Sequence, residues 1–338
     1  MKIGESLILG STLTDENMVF LKQLGVDGLT VGFLPLKKDG LGGESPLSKL
    51  REETGCYETE DLVALKEWVQ SHGLKLFSIR SSPNPRWNRI ILGQAGRDEQ
   101  IENWIKSLSN MGRAGIPQMQ YNLMITEAGY RTSAEPVGRG GTRIDRFDYE
   151  VARKAPVTRF GEISEEAMWD NFTYFLRAVI PVAAETGVNM TLHPFDPQVP
   201  SLACIARIIR SVESYDRVFK LMPARASQIN FCLGCFQQMM DADGVYDTIR
   251  HFGREGRIGA VHIRGVRGTL EKFDEVWPDE GKLDMVKAVG VLKEVGFNGA
   301  IEPDHAPHPT GDTEWGHRSQ AYQIGYLKGV LQGAGALD

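Results

Sequence analysis

Four cysteines (Cys56, Cys204, Cys232 and Cys235) in 338 residues are too few to staple a chain of this size, so a disulfide framework is excluded and a reducing compartment is expected. Cys232 and Cys235 spell C-x-x-C, but no second C-x-x-C and no paired histidines accompany them as a structural zinc site requires. No apolar stretch approaches the roughly 18 residues that a membrane span needs. The opening Met1-Lys2-Ile3-Gly4-Glu5-Ser6 lacks the apolar core of a secretory signal, which leads to a cytoplasmic location as the expectation. Positive charge is in deficit, with 38 Lys and Arg against 44 Asp and Glu and a net charge of −6. That balance excludes a general attraction for nucleic acid or an anionic membrane, so an anionic ligand must be held by local charges. Missing as well is a dinucleotide fingerprint, because Leu9-Gly10-Ser11-Thr12 is not G-x-G-x-x-G.

What is present is regular alternation. Eight apolar, strand-like runs occur at Ser6 to Leu9, Gly28 to Phe33, Leu74 to Arg80, Gln118 to Asn122, Asn189 to His193, Gln228 to Cys232, Gly259 to Ile263 and Gly299 to Asp304. Segments with a period near 3.6 lie between and after them: Asp15 to Leu24, Glu60 to His72, Gln100 to Met111, Glu165 to Glu185, Leu202 to Ser211, Gly244 to Phe252, Asp284 to Val295 and Ser319 to Leu331. Glycine-bearing joints such as Gly25-Val26-Asp27-Gly28 and Thr186-Gly187 stop a helix before a strand. Eightfold alternation predicts a (β/α)8 TIM barrel formed as one domain over residues 1–338, with a doubly wound open sheet as the alternative. The longest irregular stretch, about 124–163, carries Arg131, Arg139, Arg143, Arg146, Arg153, Lys154 and Arg159. Above a barrel rim it would serve as a lid that offers arginines to a carboxylate, or as a surface or oligomer contact. Ser82 to Gly96 would flank the same rim.

Four side chains of metal-binding type close the last four strand-like runs: His193, Cys232, His262 and Asp304. Taken singly, a histidine beside a strand end is usually structural, an apolar-flanked cysteine inert, and an aspartate after proline a turn cap. Taken together, one per strand on consecutive strands, they converge on the rim where such barrels carry their chemistry. Imidazole, thiolate and carboxylate in one set bias the site away from Mg²⁺ and Ca²⁺, toward Mn²⁺, Fe²⁺, Co²⁺ or Zn²⁺. Arg264 falls on the same face as His262 if the strand continues. His305 could move protons near the metal, whereas His308 and His317 read as exposed loop histidines. Asp196, Asp274 and Glu275 are candidates for hydroxyl recognition, the last two reading more readily as solvated carboxylates.

The segments Leu192-His193-Pro194-Phe195-Asp196-Pro197, Phe231-Cys232-Leu233-Gly234, Val261-His262-Ile263-Arg264 and Pro303-Asp304-His305 resemble the strand-end motifs of the mannonate dehydratase family, a group with the xylose-isomerase-like barrel. Tyr121-Asn122-Leu123-Met124, Arg131-Thr132, Arg146-Phe147-Asp148, Gly281-Lys282-Leu283-Asp284-Met285 and Gly325-Tyr326-Leu327-Lys328-Gly329 fall in family order, so the resemblance spans nearly the whole chain. It implies that His193, Cys232, His262 and Asp304 bind Mn²⁺ or a similar ion and that His305 and Arg264 serve catalysis. It also implies that Asn122, Arg131, Asp196 and Arg80 meet a small sugar acid, and that the chain forms a homo-oligomer. The family reaction, part of hexuronate catabolism, removes water from D-mannonate to give 2-keto-3-deoxy-D-gluconate, which needs a base at C2 and an acid at the 3-hydroxyl. The chain departs from the family at Phe195 and Arg80, where acidic residues are usual, and at Asp274 and Pro278, where histidines are usual. The family tyrosine after Pro-Asp-His has no clear counterpart, with Tyr322 as the stand-in. These departures are expected inside the pocket. Two other readings therefore stand beside the dehydratase: a metal-dependent sugar isomerase or epimerase of the same barrel type, and a metal and sugar-acid binding protein without turnover.

Overall fold

The computed structural model describes residues 1–9, 11–33, 56–81, 88–125, 128–135 and 137–337. Eight parallel strands close a barrel in sequence order: β1 Lys2–Leu9, β2 Gly28–Phe33, β3 Lys75–Ser81, β4 Gln118–Tyr121, β5 Asn189–Leu192, β6 Ser227–Cys232, β7 Ile258–Ile263 and β8 Ala300–Pro303, with β8 pairing back onto β1. The expected strand positions hold to within a few residues. Strand after strand, alternate side chains face outward into an apolar layer under the helices, among them Leu29, Val31, Met119, Leu192, Phe231 and Ile301.

Helix boundaries follow local chemistry. The helix Asp15–Leu24 starts at Thr14, whose hydroxyl accepts from the Asn17 N–H, and stops at Gly25 with φ 86°, a conformation that needs no Cβ. The long helix Glu165–Thr186 starts at Ser164 in the same way. No described helix is long and apolar enough to cross a membrane.

The structure corrects the sequence reading in two places. Leu202 to Ser211 is not a helix: Ser201–Leu202 pairs with Ile205–Ala206 through a tight turn with positive φ at Ala203 and Cys204. Leu202, Ile205, Ile208 and Ile209 are all buried, so their spacing mimics a helical stripe although the backbone reaches it by a hairpin. The true helix, Val212–Leu221, begins at the Ser211 and Ser214 capping box. The second correction concerns about 124–163, which contains the strands Ser133–Glu135 and Ile144–Asp148. These join Gly265–Thr269 and Lys272–Val276 in a four-stranded antiparallel sheet. Phe147 and Phe273 bury their rings against each other at 5.3 Å between centroids. The sheet thereby ties the segment after β4 to the segment after β7. Of Ser82 to Gly96, residues 82–87 lie outside the described residues and Asn88–Ile91 is a short helix.

That sheet leaves no room at Gly265, where a Cβ would stand 2.1 Å from the Trp277 carbonyl oxygen. Gly265→Ala is expected to cost about 1–3 kcal/mol through backbone displacement. A thermal melt should show a drop of several degrees, and an unchanged melting temperature would contradict this packing.

Candidate active site

Strand pleating explains which side chains meet. Residues two apart share a face, so Thr191 and His193, Asn230 and Cys232, Ala260 and His262, and Glu302 and Asp304 each point inward in pairs. The register sets Cys232 beside His262 and His262 beside Glu302. Under the rim lies a buried polar layer. Thr30 donates to Glu302 Oε1, Gln120 Nε2 donates to Thr30 and Glu302 at 3.1 and 3.2 Å, and Asn230 Nδ2 donates to Gln120 at 3.1 Å.

On that layer sit the four expected residues. His193, Cys232, His262 and Asp304 each offer one donor atom, and these atoms all lie within 4.8 Å of one another. Cys232 Sγ is 3.6 Å from Asp304 Oδ2, which is 3.9 Å from His262 Nδ1. His193 Nδ1 is 2.7 Å from the Pro194 carbonyl oxygen. A carbonyl can only accept, so the proton sits on Nδ1 and Nε2 keeps its lone pair. His262 Nδ1 is buried with no hydrogen-bond partner among the described residues. Its Nε2 faces Asn230 Nδ2 at 3.0 Å, Arg80 Nη2 at 3.2 Å and Glu302 Oε2 at 3.5 Å.

The electrostatics favour a cation at this point. Burial pulls the His262 pKa down, but contacts with Cys232 and Glu302 and the charge of Asp304 outweigh it and raise the value to about 9. Burial pushes the Cys232 thiol up, yet the hydrogen bond from the Cys235 side chain and the charge of Arg264 hold it well below the usual thiol range. Asp304 is likewise held below the carboxylate range, burial being outweighed by His305, Arg264, His262 and His193. Two imidazoles, a sulfur and a carboxylate with an orphaned nitrogen facing them suit a divalent ion of intermediate softness.

Beside this group lies a second one that the sequence showed only in part. Asp196, Glu275 and His305 converge around two buried arginines. Arg264 donates from Nη2 to Asp196 at 2.8 Å and from Nη1 to Glu275 at 2.7 Å, and Arg131 Nη2 bonds both carboxylates. Both Glu275 oxygens face His305 Nδ1, at 2.8 and 3.0 Å, while His305 Nε2 stands 3.6 Å from Asp304 Oδ1. Glu275 is not a solvated carboxylate, being 2% exposed. Despite burial, the charges of Arg131, His305 and Arg264 lower its pKa to about 2. Asp274 belongs to a different, half-exposed pairing with Arg146 and Arg267.

A cavity of about 210 Å³ opens over both groups and is lined by Arg80, Asn122, His193, Asp196, His262, Asp304 and His305 among the expected residues. Arg131, Arg264 and Cys232 do not line it. Arg264 is fully buried behind the wall and Arg131 is spent on Asp196 and Glu275, so neither offers a free guanidinium. Tyr322 is not brought to the cavity. It lies on the helix His317–Gly333, donates to Asp279 at 2.8 Å and packs on Trp277. Of the family departures, only Arg80 lines the cavity; Phe195 is buried against Arg207, and Asp274 and Pro278 lie elsewhere. Sequence reasoning missed Gln120, Asn230, Met124, Ile125 and Tyr130 in the lining. Gln120 and Asn230 were within reach, because each lies two positions before a residue already chosen.

Comparisons with known proteins agree over most of the length. A family profile for D-mannonate dehydratase matches residues 22–155 and 150–336. A mannonate dehydratase of Streptococcus agalactiae serotype Ia is 31% identical over 305 residues, covering 82% of this chain and 86% of that protein. One from Oceanobacillus iheyensis is 30% identical over 320 residues, covering 83% and 87%. The crystal structure of mannonate dehydratase from Streptococcus suis serotype2 superposes with a TM-score of 0.84 at 25% identity, covering 100% of this chain and 95% of that one. A D-psicose 3-epimerase from Clostridium cellulolyticum H10, at 15% identity and a TM-score of 0.63 over 98% and 99% of the two chains, shares the fold.

Glu275 has an ordinary pKa near 4.5 and a folded value of about 2. Its contribution to stability is therefore full above about pH 4.5 and is lost as pH falls toward 2. Glu275→Gln should flatten the fall in melting temperature across that window and lower stability at pH 7 by about 3–5 kcal/mol, because Arg131 and Arg264 are left partly uncompensated. A variant as stable as the parent would refute this account.

Proposed function

Because this chain belongs to the mannonate dehydratase family, we propose that it removes water from D-mannonate, or a closely related aldonate, to give a 2-keto-3-deoxy acid. As a member of that family it is a carbon–oxygen lyase, a hydro-lyase. The observation that carries the reading is the cluster of His193, Cys232, His262 and Asp304 donor atoms beside His305, with His193, His262, Asp304 and His305 all lining the cavity.

In this reading those four residues hold one divalent ion, Mn²⁺ or a neighbour such as Fe²⁺, Co²⁺ or Zn²⁺. When bound, the ion supplies Lewis-acid polarisation of the substrate's carboxylate end. His305 is the base. With Nδ1–H donating to Glu275, Nε2 keeps the lone pair that would take the C2 proton. Burial and Arg264 lower the His305 pKa, but Asp304 and Glu275 win, which strengthens the imidazole as a base. Arg264 and Arg131 act as positioning residues, since they fix Glu275 and Asp196 and do not face the cavity. Arg80, Asn122 and Asp196 are the proposed substrate contacts. Asn122 Oδ1 already accepts the Met124 N–H at 3.0 Å, which leaves its amide N–H groups for a sugar hydroxyl. Arg80 offers the positive charge for the carboxylate. The segment after β4, anchored through Arg131, forms part of the cavity wall, as the expected lid would.

Cys232→Ser and His262→Ala should each abolish bound transition metal, measured by inductively coupled plasma mass spectrometry, while circular dichroism still reports a folded barrel. Parent protein prepared in excess Mn²⁺ and found free of metal would sink the site assignment. A panel of hexonates and pentonates with Mn²⁺ should yield a 2-keto-3-deoxy acid from at least one member. Interconversion of sugars without 2-keto acid would move the reading to an epimerase.

A further inference from the structure

The dehydration proposed above needs an acid for the departing hydroxyl, and Tyr322 lies outside the cavity. We propose that Tyr130 is that acid, a catalytic residue delivering its phenolic proton to the C3 oxygen; this rests on the dehydratase reading.

Tyr130 lines the same cavity as His305, with 6.0 Å between ring centroids. No hydrogen bond from its hydroxyl to another described residue is formed, and the residue is 49% exposed, so the O–H is free to meet a ligand. Its backbone is nevertheless held on both sides. Arg131 Nη1 donates to the Tyr130 carbonyl at 2.8 Å, its guanidinium carbon stands 5.0 Å from the Tyr130 ring centre, and its Nη2 is locked onto Asp196 and Glu275. On the other side, fully buried Arg207 donates to the Gly129 carbonyl at 3.0 Å, and Gly129 turns the chain with φ 75°. The charged groups acting on the phenol are Arg131, which favours ionisation, and Asp145, Glu275 and Asp196, which oppose it. Burial acts with the carboxylates, so the phenol stays protonated at neutral pH.

The step balances without another reagent. His305 Nε2 takes the C2 proton, the C2–H electron pair becomes the C2=C3 bond, and the C3–O bond breaks with its pair. Tyr130 protonates that oxygen, which leaves as water. The enol then becomes the 2-keto acid, and the proton on His305 restores the phenol through solvent.

The test assays full-length protein loaded with Mn²⁺ on the aldonate that the parent turns over, and on its 3-deoxy-3-fluoro analogue, whose fluoride departs with less need of a proton. Tyr130→Phe keeps the ring over Arg131, so the melting temperature should hold while kcat falls about 100-fold or more and KM changes by less than about threefold. The loss should shrink to less than about tenfold on the fluoro substrate, where acid catalysis contributes least. Unchanged kcat in Tyr130→Phe, or an equal loss on both substrates, overturns the assignment while leaving the dehydratase reading intact. A parent inactive on every aldonate overturns both.

Discussion

Two groups that each favour a negative charge, Cys232 Sγ and Asp304 Oδ2, are held 3.6 Å apart at the end of a closed barrel. Two unit charges at that distance repel by about 5 kcal/mol at an effective dielectric near 20. Strand register and pleat bring the two side chains to the same point of the rim. A proton on the sulfur, a proton on His262, or a divalent ion must offset the repulsion. Arg264, 3.5 Å from Asp304, offsets part from behind. The buried His262 Nδ1, with no hydrogen-bond partner among the described residues and Asp304 Oδ2 3.9 Å away, marks where the remaining positive charge belongs.

The second group solves the opposite problem. Arg131 and Arg264 bring two guanidinium charges into a space of little water, and Asp196 and Glu275 neutralise them two against two. Neither ion pair is strong evidence of stabilisation by itself, because desolvation consumes most of the Coulomb gain. Their consequence is geometric. Arg131 comes from the segment after β4, Asp196 follows β5, and Arg264 and Glu275 both belong to the segment after β7, so three excursions above the rim are locked to one another. His305 inherits its orientation from that lock.

The parts of this arrangement legible in the sequence were those governed by short-range periodicity. Short apolar runs between segments of period near 3.6 located all eight barrel strands, and the residue type at the ends of the last four located the metal-type cluster. Leu202 to Ser211 failed because burial at i, i+3, i+6 and i+7 is compatible with a hairpin followed by extended chain as well as with a helix. The antiparallel sheet failed for a different reason: Ser133–Glu135 is only three residues long, and its partner Ile144–Asp148 is held in turn by Lys272–Val276, more than 100 residues later, which no local window contains. Glu275 looked solvated because its neighbours Asp274 and Lys272 are polar, although alternation along Lys272–Val276 places Glu275 on the same buried face as Phe273, where the Arg131 side chain meets both. Tyr322 was chosen by proximity in sequence to Asp304, whereas Tyr130 reaches the cavity through a turn at Gly129 that sequence spacing does not reveal.

The cavity is divided by the origin of its walls. Strands β5 to β8 supply the His193, His262 and Asp304 wall, and β3, β4 and the segment after β4 supply Arg80, Gln120, Asn122 and Tyr130. Arg80 carries its charge 3.2 Å from His262 Nε2, on the side of that ring away from Asp304. A carboxylate entering the cavity therefore meets positive charge at the barrel axis, from Arg80 and from any ion held by the cluster, while His305 and Tyr130 stand toward the mouth. On the proposed reading this orders an aldonate with C1 at the axis and C2 and C3 outward, against the base and the acid. On that reading substrate choice falls to residues of the first half of the barrel, Arg80 among them, while the second half supplies the four metal-type side chains.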